Sequence, residues 1–378
     1  MQYAGFLLRR ERLNRNWNQE GLCRGICTVS YLSKIEQGKA APSEEILRLL
    51  MERMGLKWHH ADDRMECVIR KAYEILWGLE DCLGKFLAGQ EEETFIYSAY
   101  GPDWEILSRF ACVGNKPLDR ELEAILCSRQ LALQRILQGE VHEAIRLYPA
   151  GLIYYYAGVH AYNDGKMAPA LEMLQIAYQL ASQEGRVRLM LYSKLYMGNC
   201  YCNQGDLHAM EQHYEVAGRL ASALHDEQAF AVIGYNRAAT QMESGDYEQA
   251  LGYFQEIREP SCMDLHKLAI CYEKLNRPGD AIRALDRAGQ AKADLRMPEG
   301  MEGELLELVR MRVSDPDYLR NAAYGRKLLK CFERCRKELP SGYAQFHLPW
   351  VLEWYENNRQ YKLALDVLRM FPERRAEY

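Results

Sequence analysis

The 378-residue chain has no run of eighteen apolar residues, so nothing in it reads as a membrane-crossing helix. Long β-branched runs with period-two alternation are absent as well. Leu, Ala, Glu, Gln, Arg and Tyr dominate instead, and the fold class expected is all-α. There is no Gly-rich phosphate loop, no His-Glu-x-x-His and no nucleophile motif, so the chain is not expected to be an enzyme or to need a cofactor. Cysteine is not scarce, at 12 residues, but it is scattered through helical segments in a way that points to reduced thiols. The pairs Cys23 and Cys27, Cys200 and Cys202, and Cys331 and Cys335 lack the second Cys or His pair that a zinc site needs. The histidines of Trp58-His59-His60 point apart on a helix, and no metal is expected there either. The start, Met1-Gln2-Tyr3-Ala4, shows no basic and then apolar leader, and a soluble cytoplasmic protein is the expectation.

What is present is unevenly distributed. A chain of this length exceeds one compact helical domain, so two domains or an elongated body are expected, and 48% apolar content supports a large core. Residues 1–60 carry a formal charge of +4 and the remainder −9, for a net −5. An acidic remainder repels nucleic acid, so any DNA contact belongs to the N-terminal end.

The stretch from Gln19 to Gly38 has the punctuation of two short helices joined by a tight turn. Leu22 is the apolar residue of the first, Ile26 and Cys27 pass through the turn, and Thr28 offers a side-chain oxygen to cap the second. Leu32 and Ile35 fall on one face, and Gly38 supplies a left-handed stop. The other face shows Val29, Ser30, Ser33 and Lys34, short polar groups and a cation suited to base edges and phosphates. A preceding helix, Tyr3 to Asn16, brings Arg9, Arg10, Arg12 and Arg15, of which Arg9, Arg10 and Arg15 are expected near phosphates. Ser43 caps a further helix whose Ile46, Leu47, Leu50 and Met54 complete a small core.

Gln19-Glu20-Gly21-Leu22 followed by Ser33-Lys34-Ile35-Glu36-Gln37-Gly38 resembles the Xre type of helix-turn-helix, one residue shorter between the helices than the common form. The resemblance implies a DNA-binding module over residues 1–60, with Gln19 and Thr28 joining the DNA-facing set and a structural ion pair between Arg12 and Glu36.

Beyond residue 60, the segment 61–117 reads as a helical linker and first sensor helices, interrupted at Gly101-Pro102 and at Asn115-Lys116-Pro117. Residues 118–378 read as repeated helical hairpins. Their turn glycines Gly165, Gly205 and Gly245 recur every 40 residues, with small residues such as Gly198, Ala238 and Ala269 where paired helices cross. This pattern resembles the tetratricopeptide repeat, lengthened, and implies a right-handed helical solenoid.

An Xre-like head on such a tail resembles the RRNPP family of peptide-responsive regulators. The resemblance implies a cytoplasmic, homodimeric transcription factor that binds double-stranded DNA with its head and a short signalling peptide, of the quorum-sensing type, in the tail groove. The competing reading is a Rap-like scaffold that docks a response regulator or another protein. Taking Gly198, Ala238 and Ala269 as eighth positions, the inward sixth and ninth positions give Asn199, Asn236 and Lys267. An asparagine offers a donor and an acceptor to an extended peptide, Lys267 offers a charge to a carboxylate, and Tyr155, Tyr156, Tyr162, Tyr196 and Tyr235 offer apolar walls with polar tips.

Overall fold

A computed structural model describes residues 2–111, 120–291, 297–339 and 341–371, and among these it contains helices and no strand. The expected interruption at Asn115-Lys116-Pro117 lies outside the described residues. None of the described helices is long and apolar enough to cross a membrane. The chain divides into two compact units, Met1–Ala157 with Ile176–Leu189, and Gly158–Gln175 with Met190–Tyr378.

The first unit opens with α1 (Gln2–Asn14), α2 (Gln19–Cys23), α3 (Val29–Glu36) and α4 (Glu44–Arg53). It continues through α5 (Asp63–Trp77), α6 (Leu83–Ala88), α7 (Glu92–Ile96), α8 (Gly101–Ala111), α9 (Arg120–Glu123), α10 (Ser128–Leu137) and α11 (Val141–Leu147). α1 is the hub of the first four helices. Its Phe6, Leu7 and Leu8 are buried, and burial of each such side chain stabilises by about 1.5–3 kcal/mol. The helix stops earlier than its apolar pattern suggests because Asn16 turns left-handed, and Leu13 is left half exposed. Asp103 of α8 ties the later helices together. It accepts hydrogen bonds from the Tyr73 hydroxyl (2.6 Å) and from Gln130 (2.8 Å), with Arg129 at 3.4 Å.

α12 (Gly151–Asn163) and α13 (Met167–Gln183) run through both units. The second unit then proceeds in hairpins, α14 (Val187–Asn203) with α15 (Leu207–Leu224), α16 (Glu227–Glu243) with α17 (Tyr247–Glu256), and α18 (Cys262–Lys274) with α19 (Pro278–Ala288). After α20 (Met301–Ser314) and a 3₁₀ turn at Tyr318–Arg320 come α21 (Ala322–Glu338), α22 (Ser341–Asn357) and α23 (Tyr361–Leu368).

The local chemistry of the hairpins repeats. Gly165, Gly205 and Gly245 adopt φ of 76°, 75° and 86°, a region that costs a glycine little and other residues more, and Asn276 takes that role (φ 57°) where the sequence has no glycine. Asp206, Asp226 and Asp246 cap the helices that follow by accepting from Ala209, Ala229 and Gln249 N–H groups. At Gly198 a Cβ would lie 2.3 Å from the Tyr214 ring, so the small residue is what lets α14 and α15 cross. Ala238 and Ala269 are fully buried in the same role.

α18 is the core of the second unit, with every residue from Cys262 to Tyr272 buried except Asp264. Beside it, the guanidinium of Arg312 is buried and shared. It bonds Glu273 at 3.0 and 3.1 Å, Glu353 at 3.3 Å and the Tyr324 hydroxyl at 3.1 Å, and stacks on Tyr318 and Trp350. A buried cation needs this many partners because its desolvation is otherwise uncompensated.

Candidate nucleic-acid interface and ligand cavity

Helix α3 is presented by its neighbours. Thr28 Oγ1 accepts from the Tyr31 N–H (3.2 Å) and opens it, and Gly38, at φ 69°, closes it. Leu32 and Ile35 are buried against α1 so closely that a Cβ on Gly5 would lie 2.1 Å from the Ile35 carbonyl oxygen. The opposite side, Val29, Ser30 and Lys34, is exposed, with Ser33 half-buried and accepting a hydrogen bond from Gln37 (3.1 Å). Arg53 donates to the carbonyls of Leu22 and Arg24 and fixes the end of α2.

The pair implied between Arg12 and Glu36 is made, by two bonds of 2.7 and 2.8 Å, with a third from Arg12 to the Trp17 carbonyl (2.7 Å). A fork-to-fork guanidinium–carboxylate pair of this kind is both strong and directional. Gln19 belongs to the same network. Its amide donates to Glu36 at 2.8 Å, which holds the start of α2 to the end of α3. The other arginines of α1, Arg9 and Arg10, and Arg15 just beyond it are each paired with a carboxylate. Arg9 pairs with Glu121 (2.9 Å), Arg10 with Glu11 and Glu105 (3.3 and 3.5 Å), and Arg15 with Glu11 (2.7 Å). Of these carboxylates Glu11 is local, whereas Glu105 and Glu121 come from segments distant in sequence.

In the second unit a cavity of about 280 Å³ is lined by Tyr162, Tyr196, Asn199, Tyr235, Asn236 and Lys267. Tyr162 and Tyr196 meet edge to face, with ring centroids 5.5 Å apart. Asn199 Oδ1 accepts from both the Tyr214 hydroxyl (2.7 Å) and Asn236 Nδ2 (2.9 Å), and Asn236 Nδ2 also reaches the Tyr214 oxygen at 3.1 Å. These bonds leave Asn199 Nδ2 and Asn236 Oδ1, one donor and one acceptor, unspent at the cavity wall. Lys267 is almost fully buried, with its ammonium over the Phe346 ring. Burial drives its pKa well below the ordinary lysine value, with the Glu243 carboxylate opposing. Tyr155 and Tyr156 belong to the first unit, where they pack edge to face on each other, and they are not among the lining residues.

Residues 8–59 match the family described as "Helix-turn-helix". The head is a helix-turn-helix domain. A 32-residue stretch is 62% identical to the transcriptional activator NprA of Geobacillus stearothermophilus, and spans 8% of this chain and 8% of that protein. Among solved structures, the chain is similar to Bacillus thuringiensis PlcR in complex with the peptide PapR7 and DNA, at 18% identity and a TM-score of 0.32, over 77% of this chain and 94% of that one.

For the helix-turn-helix head, the residues that sequence reasoning missed are Glu105 and Glu121, whose proximity to α1 no local pattern announces. For the cavity, it missed Asn203, Thr240, Tyr343 and Phe346. Thr240 was within reach of the repeat logic, since it lies one helical turn beyond Asn236 and donates to its carbonyl (2.9 Å). Tyr343 and Phe346 arrive on α22, more than a hundred residues after Asn236. Among the described residues no group of three or more metal-capable side chains gathers, and His60 instead pairs with Glu44 (2.6 Å).

Proposed function

We propose that the protein is a cytoplasmic, DNA-binding transcriptional regulator whose α3 reads the major groove and whose tail cavity holds a short, extended signalling peptide. The observation that carries the second half is the Asn199–Asn236–Tyr214 network. It joins α14, α15 and α16 and ends in one unspent amide donor group and one unspent amide acceptor beside apolar rings, which is what a peptide unit needs from a protein wall. The helix-turn-helix match, and the exposed Val29, Ser30 and Lys34 with the half-buried Ser33 on a helix braced from behind, support the first half. One recognition helix contacts too few bases for selectivity in a genome, so the working form is a homodimer on two half-sites.

Selection from a randomised duplex pool by the full chain tests this reading. It should enrich a site with two half-sites, and Ser33→Ala or Lys34→Ala should weaken binding to it by about 1–3 kcal/mol wherever the side chain meets a base. A pool that never enriches, or an enriched site held equally well by both variants and the parent, overturns the DNA-reading assignment.

A further inference from the structure

Several polar groups at and beside α3 are already engaged within the head. Thr28 Oγ1 accepts from the Tyr31 N–H (3.2 Å), the Tyr31 hydroxyl donates to the Ala41 carbonyl (3.0 Å), and Ser33 Oγ accepts from Gln37 (3.1 Å). Val29 differs from all of these. It is the first residue of the helix, it has no polar group to engage, and 43% of it is exposed, the one large apolar side chain of α3 left in solvent. We propose that Val29 is a specificity residue for thymine, with its isopropyl group packed on the C5-methyl group of one thymine in the major groove of each half-site.

Neither helix propensity nor the head's own core accounts for this valine. Alanine would serve the helix better, and the core face of α3 is filled by Leu32 and Ile35. The charges around it fit nucleic acid. Between residues 24 and 39 the charged side chains are Arg24, Lys34, Glu36 and Lys39; the three cations are exposed, and the carboxylate is buried against Arg12. Arg24 is paired only loosely, with Glu20 at 3.9 Å. An exposed surface of that sign attracts phosphates and disfavours a cationic partner. On the major-groove edges of the base pairs the apolar feature is the thymine C5-methyl, so an apolar side chain on a reading helix selects thymine over bases that offer only donors and acceptors there. Valine suits this contact because two heavy atoms on its Cβ hold χ1 in one strongly preferred helical rotamer, and little freedom is left to lose. The backbone beneath it is held on both sides, by the cap at Thr28 and by the Tyr31 bond that ties α3 to the segment before α4.

This inference rests on the DNA-reading assignment, and the experiment separates the two. In the duplex that the full chain enriches from a randomised pool, each thymine is replaced in turn by deoxyuridine, which keeps the base pair and removes only the methyl group. Binding by the parent, measured by fluorescence anisotropy, should weaken about fourfold at one thymine of each half-site, the effect of one buried methyl group. Val29→Ala removes an exposed side chain and favours the helix, so the head stays intact. That variant should bind the unmodified duplex more weakly than the parent, be indifferent to uracil at that thymine, and respond as the parent does at every other. A parent indifferent to uracil at every thymine, or a sensitive thymine that stays equally sensitive in Val29→Ala, overturns the assignment of Val29 while DNA reading stands. If no duplex is enriched, DNA reading fails and the assignment fails with it.

Discussion

The head and the tail cavity each rest on a buried polar network, and the two networks are finished differently. In the head, Glu36 accepts from Arg12 twice and from Gln19 once, so the charge is closed on itself and three helices are locked together. In the cavity, Asn199 accepts from Tyr214 and Asn236, while an amide donor and an amide acceptor remain at the wall. A closed network supports a surface that does its work elsewhere, here the outer face of α3. An open one, on the proposed reading, is itself the ligand-binding surface. The head should therefore fail by unfolding when its network is cut, and the cavity should fail by losing its ligand.

Cutting the closed network gives the largest effect. Glu36→Ala leaves the Arg12 guanidinium buried without its carboxylate and should cost about 3–5 kcal/mol of stability, read by denaturant unfolding with a probe in the first unit. A loss below about 1 kcal/mol, the range of exposed pairs, would remove the distinction drawn between the two regions.

Acid separates the regions next. His347 is buried on α22, its Nδ1 2.8 Å from the Tyr343 carbonyl oxygen, and burial and then Lys267 lower its pKa from 6.5 to about 3. His266, its neighbour at 6.1 Å between ring centroids, is lowered by the same two causes. A histidine with a depressed folded pKa stays neutral in the native state while the unfolded chain takes up a proton. The stability it contributes is complete above about pH 6.5 and is lost as the pH falls from there toward the folded value. His347 should cost about 2 kcal/mol by pH 5, with His266 acting in the same direction, so the second unit should lose stability across this range and His347→Gln should flatten the slope by about one proton. An unchanged slope in that variant would show that the imidazole is protonated in the native state.

The open network should respond most gently to truncation. Asn236→Ala keeps the bond from Tyr214 to Asn199 and removes one cavity acceptor, so folding should be nearly unaffected while affinity for a bound peptide falls by about 1–3 kcal/mol, measured by calorimetric titration. Equal affinities would remove Asn236 from the ligand contacts even if a peptide still binds.

The same contrast explains what the sequence made legible. The cap at Thr28, the stop at Gly38 and the turns at Gly165, Gly205 and Gly245 depend on neighbours within a few residues, and spacing alone exposes them. Asn199, Asn236 and Lys267 were placed at one cavity by repeat register, because a repeating hairpin turns a local position into a spatial one. Of the tyrosines named as apolar walls, Tyr162, Tyr196 and Tyr235 line the cavity, whereas Tyr155 and Tyr156 sit in the first unit. What stayed hidden depends on contacts between distant segments. Glu105 and Glu121 reach the α1 arginines, and Phe346 covers Lys267, so charges that look available in a string of letters are already engaged. Burial changes lysine in kind as well, since a residue chosen for its charge is held toward neutrality by the core around it.

A signalling peptide in the tail cavity, as proposed, should alter DNA binding by the head, and thermodynamic linkage measures that coupling directly. The dissociation constant of the full chain for its enriched DNA duplex is determined by fluorescence anisotropy, without and with a saturating cavity-binding peptide, in the parent and in Asn236→Ala at matched peptide concentration. The account predicts a shift of about 5–150-fold in the parent, a reciprocal shift in peptide affinity when DNA is present, and a smaller shift in the variant. A DNA dissociation constant that does not move while the peptide saturates the parent would contradict it.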